Sequence, residues 1–420
     1  MGRPAQGPVG SSWLPGLSPD GWLLFATCGV RLFAYGFLSV VLGLYLASLG
    51  MDAGAIGGVF TAALVGGAIM TVVLTQVADR LGRRRVLMVG AGLMAAAGAV
   101  FALTDNPALL VGAAVLGAIS PSGKEVGPFL SVEQAALPQT ASDEQRTHLF
   151  AAYNIVGSLA GALGALAAAV PDLLGLAPVA GYRALIWAYA AAGLVLLVMF
   201  GRLSPVIEVA AVPASPTAPR PRFGIHRSRG VVAKLTALFA LDSFAGGFIV
   251  QGLVAYWFTL RYGVDTATLG AIFFGTNLLS AISFLLAVPI ARRIGLLNTM
   301  VFSHLPSNLM LMLVPLMPTF EAAAAMLLAR HLLSQLDVPT RQSYTMAIVD
   351  PDERSAMAGI TSVTRNAAAA VAPAFAGLTL AHPALGLPFL LAGGLKIVYD
   401  LAILTVFRGV RPPEEIGKRR

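Results

Sequence analysis

Charged residues are scarce in this sequence: only 11% of its 420 residues are Asp, Glu, Lys or Arg, whereas 57% are hydrophobic. Soluble proteins carry about 25% charged and roughly 45–50% apolar residues. Even large soluble domains bury only about three-quarters of their surface, so this chain could not hide its apolar side chains from water. The mean hydropathy of +0.79 agrees with this. The composition predicts an integral membrane protein whose main contact is the lipid bilayer.

Motifs of enzymes and of nucleotide-driven proteins are also missing. The single cysteine, Cys28, excludes a disulfide framework and any cysteine-based zinc or iron–sulfur site. The sequence contains no G-x-x-x-x-G-K-S/T loop, no G-x-S-x-G turn and no His-Cys-carboxylate cluster with metal-site spacing. We therefore expect no cofactor, no metal and no enzymatic activity. Energy for any transport would come from a gradient of an ion or a solute.

Apolar stretches of about 20 residues recur along the whole chain, each long enough to cross a roughly 30 Å hydrocarbon core as a helix. The first stretch is too long for the apolar region of a signal peptide, so we expect no cleaved signal. The predicted fold class is an all-α integral membrane protein with twelve transmembrane helices. The predicted spans are 22–47, 54–77, 86–104, 108–134, 147–170, 183–201, 233–259, 267–290, 299–317, 321–345, 356–380 and 386–407.

Lysine and arginine are unevenly distributed over the predicted loops. Most of them follow even-numbered spans or lie in the central loop and the two tails, whereas the opposite loops contain only Arg183 and Arg261. Because cations are enriched in cytoplasmic loops, we expect a multi-pass protein of the plasma membrane with both termini in the cytoplasm. This topology accounts for the net charge of +8 without a nucleic-acid partner.

The two halves of the chain share a repeat. Residues 44–58 align with residues 257–271, and Gly82 aligns with Gly295 at the same offset. Two such six-helix halves leave a central cleft, as in alternating-access transporters. The predicted units are an N-terminal tail (1–20), an N-terminal six-helix bundle (21–202), a Pro-rich linker (203–230), a C-terminal six-helix bundle (231–408) and a C-terminal tail (409–420).

The residues between predicted helices 2 and 3 read TQVADRLGRRR (75–85), which resembles the G-x-x-x-D-R-x-G-R-R-R signature of the major facilitator superfamily. A weaker copy, ARRIG (291–295), stands in the second half. The resemblance implies two pseudo-symmetric six-helix bundles and a cytoplasmic gate. In that gate Asp79 would face the N-terminus of helix 11, whose dipole favours an anion, and Arg83 would reach Glu133. The implied gating residues are Asp79, Arg80, Gly82, Arg83 and Glu133.

Ionisable residues at membrane depth are costly, at least about 2.5–3.5 kcal/mol each at a helix centre, and each is therefore a candidate functional group. In the family that this chain resembles, helices 1, 4, 7 and 10 line the central cavity, and all four carry charge here. The candidate residues for binding substrate or protons are Arg31 and Tyr35 on helix 1, Lys124 and Glu125 on helix 4, Asp242 on helix 7 and Arg330 on helix 10.

Arg31 and Asp242 occupy similar positions in the two halves, because they precede the matched glycines Gly50 and Gly263 by similar spacings. We expect them to lie close to the midplane and to face one water-filled cleft, where they would pair directly or through substrate. The alternative is a purely structural ion pair, since networks of that kind are common in buried positions.

Helix 4 contains the segment SPSGKEVGPF (120–129), whose prolines and glycines predict a break or kink. Adjacent helical residues point in different directions, so we expect only one of Lys124 and Glu125 to face the cleft. We assign Lys124 to the substrate and Glu125 to a neighbouring helix. On helix 12, the spacing of four residues predicts an ion pair between Lys396 and Asp400.

These features favour a monomeric secondary active transporter of a small solute that works by alternating access. Proton coupling through Asp242 and Glu125 is the expected energy source. The surplus of cations at depth predicts an anionic or zwitterionic substrate. One alternative is a proton-driven exporter of drugs or toxic amphipathic compounds. From another class, a non-transporting membrane receptor or an intramembrane enzyme could use the same scaffold.

Overall fold

The computed structural model describes residues 17–125, 127–140, 146–208, 225, 227–350, 353–380 and 382–410. Within these ranges the chain is helical, and they contain no strand. Most of the two predicted tails and of the predicted linker lies outside these ranges, and the unit boundaries stay predictions. The all-helical fold class is confirmed.

The helices fall into two successive sets. The first half contains α1 (Pro19–Ser48), α2 (Ala53–Leu81), α3 (Arg83–Leu103), α4 (Pro107–Leu116), α5 (Phe129–Ala136), α6 (Arg146–Ala167), α7 (Val170–Leu173) and α8 (Pro178–Gly201). The second half contains α9 (Arg229–Gly247), α10 (Gln251–Tyr262), α11 (Thr266–Ile294), α12 (Leu296–Leu313), α13 (Phe320–Ser334), α14 (Asp337–Ala347), α15 (Arg354–Thr379) and α16 (Leu387–Phe407). Short 3-10 turns occupy Leu137–Thr140, Pro205–Ile207, Val314–Leu316 and Pro383–Leu385.

Nine helical stretches in the described part of the chain are long and apolar enough to cross a membrane, judged by length and composition. The three predicted spans outside this set are 108–134, 321–345 and 356–380. The first two correspond to the pairs α4–α5 and α13–α14, in which each helix is short. The third is α15, which contains many polar side chains. The number twelve therefore stays a prediction for these three spans.

The repeated turn residues cap helices in both halves. The Oδ1 atom of Asp52 accepts a backbone N–H at 2.8 Å at the start of α2, and that of Asp265 accepts one at 2.7 Å at the start of α11. Both helices end at a glycine with a positive φ, 96° at Gly82 and 89° at Gly295. This backbone conformation favours glycine because it has no Cβ atom. The shared caps agree with a duplicated unit.

The predicted fourth, seventh and tenth spans are each interrupted. The widest interruption is residues 117–128 between α4 and α5, which we call the central segment; Gly123 and Gly127 within it have φ of 67° and 82°. The other two are residues 248–250 between α9 and α10 and residues 335–336 between α13 and α14. Prolines and glycines predict the break in helix 4, and non-helical backbone of this kind is tolerated at membrane depth where protein or water satisfies it.

The two bundles meet at the side of the molecule opposite to Leu17 and Val410, the first and last described residues. There α2 packs against α15, α6 against α11 and α1 against α10. Glycine permits the close approach: a side chain on Gly57 would collide with the backbone at Pro373, and one on Gly270 with the carbonyl of Ala165. Hydrogen bonds between described residues of the two bundles lie in this same half. These contacts close the described part of the molecule on that side, so the cleft between the bundles opens toward the side of Leu17 and Val410.

Candidate functional site

Arg31 lies inside α1 and is fully buried, and its first partner is Glu125 of the central segment. Its Nε atom donates to Oε2 of Glu125 at 3.0 Å, and its Nη2 atom donates to Oε1 at 2.7 Å. Such a two-bond contact between guanidinium and carboxylate is among the strong hydrogen-bonded pairs in proteins. The side chain of Glu125 is 15% exposed, so that this carboxylate lies at the edge of the buried region.

Glu133 on α5 is the second acidic partner of Arg31. Nη1 and Nη2 of Arg31 donate to its two oxygens at 2.9 and 2.7 Å, and the hydroxyl of Thr27 donates at 3.0 Å. The hydroxyl of Tyr153 on α6 also donates to Glu133. The guanidinium lies 4.8 Å from the centre of the Phe129 ring. We refer to Arg31, Glu125 and Glu133 as the N-bundle cluster.

A second cluster lies in the other bundle, around Asp242 on α9. Lys396 on α16 contacts one oxygen of Asp242 at 2.6 Å, and Arg341 on α14 contacts the other at 3.0 Å. Arg341 also pairs with Asp337 at 3.0 Å. These residues are buried. We refer to Asp242, Asp337, Arg341 and Lys396 as the C-bundle cluster, which contains two carboxylates and two cations.

Two predicted ion pairs are wrong, namely the direct pair of Arg31 with Asp242 and the pair of Lys396 with Asp400; pairing of Arg31 and Asp242 through a substrate stays a prediction. Arg31 does not pair with Asp242, because its donors are directed to the acids of its own bundle, while Asp242 is held between two cations of the other bundle. Lys396 reaches Asp242 instead of Asp400, and Asp400 contacts His304 at 2.8 Å. In both cases a residue on a packed neighbouring helix is the partner, which sequence spacing does not reveal.

Three cations at membrane depth form no ion pair with any residue that the structure describes: Lys124, Arg330 and Arg365. Arg330 is only 7% exposed, and its buried Nε atom has no hydrogen-bond partner among the described residues. Arg365 on α15 donates from Nε to the hydroxyl of Ser243 at 3.0 Å. Neither Arg330 nor Arg365 therefore contacts a neutralising carboxylate among the residues that the structure describes.

Lys124 projects from the central segment and is exposed. It lies close enough to three cations of the opposite bundle, Arg330, Arg365 and Lys396, and to the carboxylate of Asp337 to interact with them electrostatically. Lys124 is thus within electrostatic range of the other two cations that form no described ion pair, and we refer to Lys124, Arg330 and Arg365 as the cation trio. Glu125, the next residue in the chain, points to α1 instead. Lys124 and Glu125 point in different directions because the backbone of the central segment is not helical.

Tyr35 is fully buried on α1 and packs near the ring of Tyr189, with ring centres 6.3 Å apart. It lies within electrostatic range of Glu125 and Arg31. The structure therefore brings Tyr35 to the N-bundle cluster. The predicted site residues do not include Tyr153 or Arg365, although the sequence places Arg365 inside a predicted span. Arg365 is a cation inside an alanine-rich span, which marks it as a candidate from the sequence. No comparable feature marks Tyr153.

The loop between α2 and α3 contains the motif that resembles the family signature. The backbone N–H of Arg83 donates to Glu208 at 2.6 Å, and that of Arg84 donates at 3.1 Å. Nη1 of Arg83 donates to the carbonyls of Ala135 and Ile207 at 3.0 and 3.1 Å. Glu208 thus caps the start of α3, since a carboxylate satisfies unpaired N–H groups there.

The implied pair of Arg83 and Glu133 is wrong, because Glu133 is occupied by Arg31. Gly82 has the positive φ that lets the chain turn directly from α2 into α3. The side chains of Asp79 and Arg80 lie outside the described residues, so their implied gating roles stay predictions. Nothing in the sequence near this loop predicts its contact with Glu208, because Glu208 lies at the far end of the first half.

Comparison with protein families gives one match across most of the chain. The model described as Major Facilitator Superfamily matches residues 23–334. An uncharacterized membrane protein of Saccharomyces cerevisiae, YJR124C, is 30% identical over 425 residues, which cover 94% of this chain and 95% of that protein.

Solved structures of several transporters share the fold. A variant of the nucleoside transporter NupG superposes with a TM-score of 0.73 at 14% identity, covering 92% of this chain and all of that one. A D-xylose-proton symporter gives 0.67 at 16% identity, covering 95% and 99%. The human organic anion transporter MFSD10 gives 0.57 at 18% identity, covering 92% and 99%. At these identities the likeness extends to the fold and not to the substrate.

Proposed function

The chain belongs to the Major Facilitator Superfamily, and from that membership we propose that it is a secondary active transporter of a small anionic solute. The solute would bind in the cleft between the bundles. The observation that carries this proposal is the cation trio, Lys124, Arg330 and Arg365. No described carboxylate pairs with these cations.

Unpaired charge at membrane depth destabilises a membrane protein. An unpaired cation there costs at least about 2.5–3.5 kcal/mol. In the N-bundle and C-bundle clusters this cost is offset by ion pairs within the protein, because Arg31, Arg341 and Lys396 each contact a carboxylate. Within the cation trio, Arg330 is buried and contacts no carboxylate among the described residues, and a carboxylate, phosphate or sulfate group of a solute would supply one. Arginine suits this role because its donors match the oxygens of such groups.

The open state of the cleft gives the solute a route to the trio. The bundles touch on the side opposite to the termini, and Lys124 is exposed between them. The distribution of cations in the loops supports cytoplasmic termini, so the structure would be open to the cytoplasm. A plasma-membrane location and a monomeric state belong to the same proposal.

Proton coupling is the second part of the proposal. Of the two carboxylates that the sequence suggests for it, Asp242 is held between Lys396 and Arg341, which stabilise its charge. Glu125 has one cationic partner and lies at the edge of the cleft. The arrangement therefore favours Glu125. A proton symporter and an organic anion transporter are among the proteins with this fold, which agrees with the proposal without deciding it.

A binding experiment tests the substrate class. The purified protein would be heated with inorganic phosphate, sulfate, mono- and dicarboxylates, neutral sugars, nucleosides and lipophilic cations, and its thermal midpoint recorded. A ligand at a hundred times its Kd stabilises the folded state by about 2.7 kcal/mol. We expect anions to raise the midpoint of the wild type but not of the Arg330→Gln variant. Arg261→Gln, on the far side of the molecule, is the matched control.

Two outcomes would contradict the anion proposal. Stabilisation by lipophilic cations alone would favour the exporter of amphipathic compounds. Stabilisation by neutral sugars or nucleosides, unchanged in Arg330→Gln, would show that the trio does not bind the solute. Anion binding without any counterflow in proteoliposomes would instead favour a receptor built on this fold.

A further inference from the structure

The two buried charge clusters have similar parts but different charge balances. In the N-bundle cluster, two carboxylates, Glu125 and Glu133, share a single guanidinium, that of Arg31. The C-bundle cluster also has two carboxylates sharing an arginine, but Lys396 supplies a second cation there. If every group were ionised, the C-bundle cluster would be neutral and the N-bundle cluster would carry one net negative charge.

Among the described residues, no second cation contacts the N-bundle cluster. The titratable groups that face it are Cys28 and Tyr35 on α1 and Tyr153 on α6. These groups are uncharged at neutral pH. Lys124 is next to Glu125 in the chain, but its ammonium group makes no ion pair with Glu125 and interacts with the cations of the other bundle. The net negative charge would therefore remain buried without compensation.

We propose that Glu125 and Glu133 share one bound proton at neutral pH, and that Glu125 is the residue which exchanges it with the cleft. Two carboxylates in one low-dielectric site do not ionise together, because the second charge is repelled by the first. One proton makes the cluster neutral. This part of the inference concerns the protein alone and does not depend on a substrate.

The hydrogen bonds decide which carboxyl group holds the proton. Glu133 accepts from Arg31 and Tyr153, and these donors occupy both of its oxygens as acceptors. Glu125 accepts from Arg31 alone among the described residues, and it is partly exposed whereas Glu133 is fully buried. The proton therefore resides on Glu125. Uptake forms one O–H bond there with a proton from water in the cleft, and release breaks that bond.

The position of Glu125 connects this proton to the cation trio, and this step rests on the proposed function. Lys124 and Glu125 are consecutive residues of the central segment, so one faces the cleft while the other contacts Arg31. An anion that draws Lys124 toward the other bundle would also move Glu125 relative to Arg31. Solute binding and proton release would then be coupled through one peptide unit.

Infrared difference spectroscopy of the reconstituted protein tests the shared proton. Spectra between neutral and alkaline pH report the C=O stretch of each carboxyl group that loses a proton. We expect one such band in the wild type that is lost in Glu125→Gln and equally lost in Glu133→Gln. The double variant should lose no more than either single variant, because one proton is shared. Asp337→Asn, in the balanced C-bundle cluster, is the matched control and should retain the band.

The proposal is overturned if the band survives in Glu125→Gln, or if the two single variants remove separate bands. A wild type that shows no band sensitive to either residue would overturn it as well. Glu125→Gln alone decides the question if Glu133→Gln does not fold, because Glu125 lies at the exposed edge. If the band behaves as expected while no anion binds to the protein, the shared proton stands and the proposed function fails.

Discussion

Arg330 and Arg341 are buried arginines on consecutive helices, α13 and α14, and they differ in their partners. Arg341 contacts Asp242 and Asp337 at 3.0 Å each. Arg330 has no carboxylate in contact, and its Nε atom has no hydrogen-bond partner among the described residues. The same substitution, arginine to glutamine, should therefore lower the stability of the empty protein at Arg341 but not at Arg330.

The magnitudes follow from the contacts. Arg341→Gln leaves Asp242 with Lys396 as its one remaining ion-pair partner among the described residues and Asp337 with none. Removing one partner of a buried ion pair costs about 3–5 kcal/mol. Arg330→Gln removes an unpaired cation, whose presence at membrane depth costs at least about 2.5 kcal/mol. We expect the free energy of unfolding to fall by about 3–5 kcal/mol in Arg341→Gln and to remain equal or rise in Arg330→Gln.

Denaturant unfolding of both variants in lipid micelles, followed by circular dichroism, measures this difference. The wild type and the exposed variant Arg261→Gln serve as references. Comparable destabilisation in Arg330→Gln and Arg341→Gln would refute the reasoning, because it would show that Arg330 holds the empty fold together. Anion binding is the second measurement. Arg330→Gln should lose anion binding while it keeps the stability of the wild type.

Three further predictions concern packing and capping. Gly57→Ala should lower the free energy of unfolding by about 1–3 kcal/mol, because the new Cβ atom would collide with the backbone of the other bundle. Gly58 faces open space, so Gly58→Ala should leave the stability unchanged. Equal effects of the two variants in thermal unfolding would contradict this prediction. Glu208→Gln should cost about 0.5–2 kcal/mol and speed amide hydrogen exchange at the start of α3, and unchanged exchange would disprove the cap. Cys28 is fully buried, so a water-soluble maleimide should label it only after unfolding; rapid labelling of the native protein would argue against the packing of α1.

Local features of the sequence predict most of the fold because they depend on neighbouring residues alone. The predicted span 86–104 corresponds to α3, Arg83–Leu103, because length and hydropathy define a membrane helix. The break in helix 4 follows from the prolines and glycines of residues 120–129, and the matched caps Asp52 and Asp265 follow from the repeat.

Pairing between helices could not be predicted in the same way. Repeat symmetry places Arg31 and Asp242 at similar depth, but which acid contacts Arg31 depends on the rotation of α1 against α5 and the central segment. The resemblance to the family implies a contact of Arg83 with Glu133 that this chain replaces with carbonyl groups and Glu208. Charge at membrane depth therefore identifies candidate residues, while packing determines which of them remain available to a solute.

Uptake into proteoliposomes tests the central claim most directly. Vesicles that contain the wild type or Arg330→Gln would receive labelled anions, neutral sugars or lipophilic cations under an imposed pH gradient. The account predicts that at least one anion accumulates in response to the gradient and that this accumulation is lost in Arg330→Gln. Accumulation of a neutral or cationic compound alone, or of an anion equally in both proteins, would contradict it.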